Sequence, residues 1–140
     1  MKKNILFLCT GNSCRSQMAE GFGRKYKKNN FNFFSAGISK QGLNPNAIAV
    51  MSEVGIDISS QYSNTISELP DIKIDYVFTV CSHAHDSCPH FPKSKIIHVG
   101  FDDPPSLAIK VEDEDKKLDI YRKVRDEIKL FIQSIEDHLK

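Results

Sequence analysis

Residues 3–16 read Lys3-Asn4-Ile5-Leu6-Phe7-Leu8-Cys9-Thr10-Gly11-Asn12-Ser13-Cys14-Arg15-Ser16. The apolar run over 3–9 has the length and content of a strand buried on both faces. Gly11-Asn12-Ser13 is turn chemistry. From Ser16 to about Lys28 the period becomes helical, with Met18, Ala19 and Phe22 on one side and Glu20, Arg24 and Lys25 on the other. Strand, tight loop and helix in this order place 9–15 at the C-terminal end of a strand, where open α/β sheets bind ligands.

The rest of the chain continues the alternation. Residues 31–36 predict a second strand ended by Gly37. Asn44-Pro45 opens a helix that carries Ala47, Ile48, Met51 and Val54 and stops at Gly55. Asp75 to Cys81 and Lys95 to Val99 predict two more strands. Asp103-Pro104-Pro105 is expected to be a loop. Ile120, Tyr121, Val124, Ile128, Phe131, Ile135 and Leu139 form the stripe of a last helix, and the acidic patch 112–115 is its first turn or the loop before it. Strands alternating with helices predict an α/β fold with a parallel sheet covered on both sides. No repeat, linker or low-complexity tract divides the chain, so 1–140 is expected to form a single domain.

Composition narrows the function. Nineteen basic against 18 acidic residues leave a net charge of +1, which excludes a nucleic-acid coat. No run approaches the roughly 18 apolar residues of a membrane span. Met1-Lys2-Lys3-Asn4 and the apolar Ile5–Leu8 have the outline of a secretion signal, but Thr10–Ser13 interrupts it and no small-residue cleavage site follows. A cytoplasmic location is therefore expected. The four cysteines of such a chain are kept reduced and are expected to be reactive or metal-binding rather than structural bridges.

Cys9 and Arg15 bracket a loop of small residues that ends on a helix N-terminus. Backbone N–H groups of such a loop can form a nest for a tetrahedral oxyanion, and Arg15 can add two parallel charged hydrogen bonds. The same field is expected to lower the pKa of Cys9 and give a thiolate at neutral pH, with Ser16 placed to donate a hydrogen bond to it. The alternative is a buried structural cysteine beside a surface arginine.

The segment Cys9-Thr10-Gly11-Asn12-Ser13-Cys14-Arg15-Ser16-Gln17 resembles the low-molecular-weight tyrosine phosphatase superfamily. The chain is similar in particular to its thioredoxin-coupled arsenate reductase branch. Met18–Gly21, Ser35–Ile38, Gly55–Ser59, Gly100–Pro104 and Arg122–Ile128 carry that likeness over nearly the whole length. The resemblance implies a four-stranded parallel sheet flanked by helices. It makes Cys9 the nucleophile and Thr10, Gly11, Asn12, Ser13, Cys14, Arg15 and Ser16 the oxyanion site. Asp103, directly before Pro104, becomes the general acid. Arsenate is the implied substrate, with phosphate and sulfate competing, and a weak phosphatase side activity follows because the cradle suits both anions.

The other cysteines bear on which chemistry applies. A phosphatase needs one thiolate and a water, whereas reducing arsenate to arsenite takes two electrons, which two thiols becoming one disulfide supply. Cys81 ends the third strand on the same sheet edge as Cys9, and Cys88 lies seven residues on. By the resemblance, Cys81 displaces arsenite to give Cys9–Cys81, Cys88 takes over the disulfide, and thioredoxin reduces it. If 81–88 is helical, its ends are roughly 10 Å apart, beyond the roughly 4.4–6.8 Å of a disulfide, so the segment must unwind on oxidation. Cys14 is expected to be a structural bystander facing away into packing.

Two further expectations concern metals and partners. Cys81, His83, His85, Cys88 and His90 are five soft ligands within ten residues, the basis of an alternative reading as a metal or redox sensor. The resemblance also implies a potassium site at Asn12, Glu20, Ser35 and Asn64. Asn64 stands where potassium-binding members carry an aspartate, so only weak binding is expected. No tightly bound cofactor is expected, and a monomer is the default. Pro105-Ser106-Leu107 supplies no aromatic grip for a phenolic ring, which weighs against a phosphotyrosine substrate, the remaining alternative.

Overall fold

A computed structural model describes residues 2–81, 84, 86, 91 and 94–139. Four parallel strands form one sheet: β1 (Lys3–Cys9), β2 (Phe31–Gly37), β3 (Tyr76–Thr79) and β4 (Lys95–His98), in the order β2-β1-β3-β4. The most apolar strand is central. Ile5, Leu6, Phe7 and Leu8 are fully buried, so side chains on both faces of the pleat are covered. On one face Phe7, Phe33 and Phe78 lie in ring contact, and Phe131 meets Phe7 and Phe78 edge-on.

The helices are α1 (Arg15–Tyr26), α2 (Pro45–Glu53), α3 (Pro104–Ala108) and α4 (Glu114–Gln133), followed by a 3-10 turn at Ile135–His138. Their ends follow local chemistry. Asn44 Oδ1 accepts from the N–H groups of Asn46 and Ala47 and caps α2, and Pro45 is its first residue. Gly55, at φ 80°, supplies the left-handed turn that takes the chain away. Asp113 caps α4 through Asp115 N and Lys116 N, and Glu114 and Asp115 lie in its first turn, where the helix dipole favours them.

Several expected boundaries move. α1 begins at Arg15 rather than Ser16 and ends at Tyr26 rather than Lys28. β2 runs one residue longer, to Gly37. β3 is shorter than 75–81 because after Val80 N–H bonds Leu8 O the chain leaves the ladder and Val80 O turns to Phe101 N. β4 stops at His98, although Val99 N–H still bonds Thr79 O. The Asp103-Pro104-Pro105 segment is not a loop: Asp103 precedes the helix α3, in which a proline at the first position loses an N–H that would have had no partner anyway. The last helix ends at Gln133, and Ile135 is buried from the 3-10 turn instead.

No helix among the described residues is long and apolar enough to cross a membrane.

Candidate active site

β1 delivers Cys9 to the end of the central strand, and the chain crosses residues 10–14 to enter α1 at Arg15. The intervening carbonyls are held from outside. Cys9 O accepts from Ile38 N, Thr10 O from Ser39 N, Gly11 O from Gln41 N and Ser63 Oγ, Ser13 O from Asn44 N, and Cys14 O from Met18 N. Asn12 O accepts from Gln17 Nε2. Peptide planarity turns the following N–H groups to the opposite side, so the loop offers donors to its concave face. Asn12 makes the bend possible with φ 48°, a left-handed conformation that asparagine tolerates. Its buried side chain braces the loop: Nδ2 donates to Ser16 Oγ at 2.8 Å, and Oδ1 accepts from Asn64 N at 2.7 Å and Gln17 Nε2 at 3.1 Å. Gly37 lets β2 lie against this loop, since a Cβ there would meet Ser39 O and come within 2.7 Å of Asn12 N.

The concave face opens into a cavity of about 300 Å³ lined by Cys9, Thr10, Gly11, Ser13, Cys14, Arg15, Gln41, Asn44, Asp103 and Pro105. Arg15 is nearly buried. Its Nη1 donates to Phe101 O at 3.1 Å, and Nη2 lies 3.6 Å from Asp103 Oδ1. Its Nε is buried without a hydrogen-bond partner among the described residues, a donor that an oxyanion in the cavity would satisfy. Asp103 also accepts the Ser106 hydroxyl at 2.7 Å. Of the two adjacent aspartates, Asp103 lines the cavity and Asp102 is exposed.

The thiols differ from the sequence expectation. The neighbouring Cys81 side chain and burial push the Cys9 thiol well above its ordinary value, against the pull of Arg15 and of the Thr10 N–H. Cys81 is lowered to about 5, first by the Cys9 hydrogen bond, then by the Thr10 hydroxyl, the Ala84 N–H and the Arg15 charge, against burial. Thr10 Oγ1 and Ala84 N lie 3.1 and 3.3 Å from Cys81 Sγ. The two thiols titrate as a coupled pair, in which Cys9 is pushed up and Cys81 down. Thr10 points to Cys81 rather than only to the cavity. Ser16 is engaged with Asn12, not with the Cys9 sulfur. Cys14 is buried as expected, which raises its thiol to about 12, yet it also lines the cavity. Cys9, Cys14 and Cys81 are free thiols. Cys88, His83, His85 and His90 lie outside the described residues, and so do the relay step, most of the segment expected to unwind and most of the metal-binding alternative placed on them.

Glu20, Ser35 and Asn64 line a neighbouring cavity behind the loop, with Asn12 bonded to Asn64. Ser35 Oγ donates to Glu20 Oε1 at 2.5 Å, and Arg24 Nε lies 3.1 Å from Glu20 Oε2. Burial raises the Glu20 carboxyl, opposed by Ser35 and Arg24. Asn64 Nδ2 donates to Tyr62 O at 3.2 Å and Ser35 O at 3.4 Å. Among the described residues no three His, Cys, Asp or Glu side chains gather as a metal site.

Sequence reasoning missed Gln17, whose amide ties Asn12 to Tyr62 O at 2.7 Å. It also missed Gln41 and Asn44 as cavity walls. Asn44 carried a signal only as a helix cap, and Gln41 carried none.

Residues 4–140 match the sequence model of the family described as low molecular weight phosphotyrosine protein phosphatase. The chain is 54% identical over 128 residues to a protein of Halalkalibacterium halodurans named arsenate reductase, covering 91% of this chain and 90% of that one. A solved structure described as an arsenate reductase in the phosphate binding state superimposes with a TM-score of 0.76 at 32% identity, covering 99% of both chains. A thioredoxin-dependent arsenate reductase of Corynebacterium glutamicum gives a TM-score of 0.66 at 25% identity, over 96% of this chain and 62% of that one.

Proposed function

Because the chain belongs to the low molecular weight phosphotyrosine protein phosphatase family, with relatives named arsenate reductase on both comparisons, we propose that it reduces arsenate to arsenite through a cysteine relay. One observation carries this reading: a second free, buried thiol, Cys81, sits beside the loop that carries Cys9, its sulfur 3.1 Å from Thr10 Oγ1. Phosphoester hydrolysis has no use for that thiol, and a two-electron reduction requires it.

Arsenate enters the cavity against Arg15 and the loop amides. Cys9 passes its proton to Cys81 and attacks arsenic, and the displaced hydroxide leaves as water with that same proton, relayed from Cys81 through Asp103, so that Cys81 is again a thiolate. Cys81 then attacks the Cys9 sulfur. The S–As bond breaks, the S–S bond forms, and the electron pair left on arsenic makes arsenite. Cys88 attacks Cys81, returning Cys9 as a thiol, and a thioredoxin dithiol reduces Cys81–Cys88. The relative described as thioredoxin-dependent supports that choice of reductant. Among the described residues the cavity walls carry no aromatic side chain, which favours a small oxyanion over a phenolic ester, so phosphomonoester hydrolysis is a weak side activity.

The test is arsenite release by the purified protein with thioredoxin, thioredoxin reductase and NADPH. Steady turnover is expected. A Cys88→Ser protein is expected to stop after about one arsenite per chain, because Cys9–Cys81 then has no exit. Undiminished turnover of that variant overturns the relay.

Potassium binding at Asn12, Glu20, Ser35 and Asn64 is proposed to be weak. The oxygens suit a hard cation, but Glu20 already faces Arg24, and Asn64 brings an amide in place of a carboxylate. Replacing sodium by potassium is expected to shift the melting temperature by less than about 2 °C, the size of an effect from a cation near its dissociation constant. Differential scanning fluorimetry reads it.

A further inference from the structure

The cradle's carbonyls are not all held in the same way. Those of Cys9, Thr10, Gly11, Ser13 and Cys14 each accept a backbone N–H, from Ile38, Ser39, Gln41, Asn44 and Met18. The Asn12 carbonyl has no backbone donor among the described residues and is held by one side chain, Gln17, whose Nε2 lies 3.0 Å away. Gln17 is fully buried in the first turn of α1. Its Nε2 also donates to Tyr62 O at 2.7 Å and to Asn12 Oδ1 at 3.1 Å. An oxygen in that place would face three oxygens, so the amide points only one way. Gln61 reinforces that choice: its Nε2 donates to Gln17 Oε1 at 2.8 Å and to Gln17 O at 3.1 Å.

We infer that Gln17 is a positioning residue of the cradle, which presents the Ser13 N–H to a bound tetrahedral oxyanion. The inference deepens the reading of the cavity as an anion site and rests on it. In a planar peptide the C=O and N–H point in opposite directions. Gln17 draws the Asn12 carbonyl into the protein, so the N–H of the next residue, Ser13, is turned to the cavity that Ser13 lines. Anchoring of the other loop carbonyls survives loss of the Gln17 side chain, because main-chain groups supply it. The Asn12–Ser13 peptide alone is released to tilt, and its donor leaves the anion. A hydrogen bond to a charged oxygen contributes more than one to a neutral group, so one misplaced donor is felt.

A brace that only stabilises the fold has a different consequence. Three oxygens and the Gln61 amide lose their partner in either case, so a lower melting temperature does not tell the two roles apart. Anion affinity does. The anion is charged before the reaction as well as during it, so a lost donor weakens ground and transition states alike and shows in KM rather than in kcat.

Gln17→Met keeps the length of the side chain and removes its donors. Inorganic phosphate is titrated by heteronuclear NMR, beside hydrolysis of p-nitrophenyl phosphate. In Gln17→Met the phosphate dissociation constant and KM are expected to rise together by about tenfold, the scale of one hydrogen bond to a charged group. The kcat is expected to stay within about threefold. The Ser13 amide proton is expected to lose most of its phosphate-induced shift while the other loop amides keep theirs. Gln61→Met, at a half-buried position, is expected to move the same constants in the same direction by about threefold, the scale of a neutral hydrogen bond. It carries the test if Gln17→Met does not fold. Unaltered phosphate affinity, KM and Ser13 shift in the folded variant overturn the inference, and so does a loss of kcat at constant KM. An unaltered protein that binds no phosphate overturns the anion-site reading and this inference together. Arsenite release does not enter the measurement, so failure of the arsenate reading is seen separately.

Discussion

A Cys9→Ser protein is expected to lose arsenate reduction and phosphomonoester hydrolysis together, each by about 10⁴-fold or more, the scale on which removal of a catalytic nucleophile is felt. Both reactions begin with the same sulfur attacking the central atom of a tetrahedral anion. A serine hydroxyl at that position is not ionised at neutral pH, and the pair partner that takes the Cys9 proton is a weak base toward an alcohol. The cradle itself does not depend on the sulfur. Its carbonyls are held by Ile38, Ser39, Gln41, Ser63 and Asn44, and Arg15 is positioned by Phe101 O and Asp103. The variant is therefore expected to fold and to be stabilised by phosphate as the unaltered protein is. Thermal melts with and without phosphate, beside both activity assays, check this. Retention of either activity removes Cys9 from the nucleophile's role.

Cys81→Ser is expected to separate the two activities. Arsenate turnover falls by about 10³-fold or more, because the electron pair for arsenic has no second sulfur to come from. Hydrolysis of a phosphomonoester persists within about threefold. The sign of the residual change follows from the coupled titration of the pair. Cys81 is the largest influence raising the Cys9 thiol, so its removal lets Arg15 and the Thr10 N–H draw Cys9 toward the thiolate. The acid limb of the phosphatase pH profile is expected to move to lower pH. A parallel loss of both activities in a folded Cys81→Ser protein shows instead that Cys81 is needed for Cys9 to act at all, and removes the two-electron argument.

Much of this was readable before any coordinate. The apolar run 3–9 could only be a strand covered on both faces, and the change of period at Ser16 made the strand-loop-helix unit that places Cys9 and Arg15. Electron counting asked for a second thiol, and the resemblance put Cys81 in that role with Cys88 behind it. Other features were not readable, for physical reasons. The Asp103-Pro104-Pro105 segment looked like a loop because proline breaks helices, yet the first turn is the one place where it does not. The direction in which the Cys9 thiol is pushed was not readable either. A local pattern shows the positive field on Cys9 but not its burial, nor a hydroxyl and an amide converging on a sulfur from a distant strand. Gln17 and Asn12 form a buried polar brace whose members look, in sequence, like ordinary solvated residues.

The parallel pairing of β1 with β3 separates Thr10 from its partner Cys81 by 71 residues along the chain. Contacts of such long range form late, after the intervening chain has paid its loop-closure entropy. A chain still emerging or misassembled carries isolated thiols of ordinary reactivity, and the activated pair arises only with the completed sheet. The pairing of the two sulfurs is thus tied to native assembly. Once the sulfurs join, the bond closes a loop of that length and removes about 4 kcal/mol of disorder from the unfolded chain, so the oxidised intermediate is the most cinched form the protein takes in its cycle.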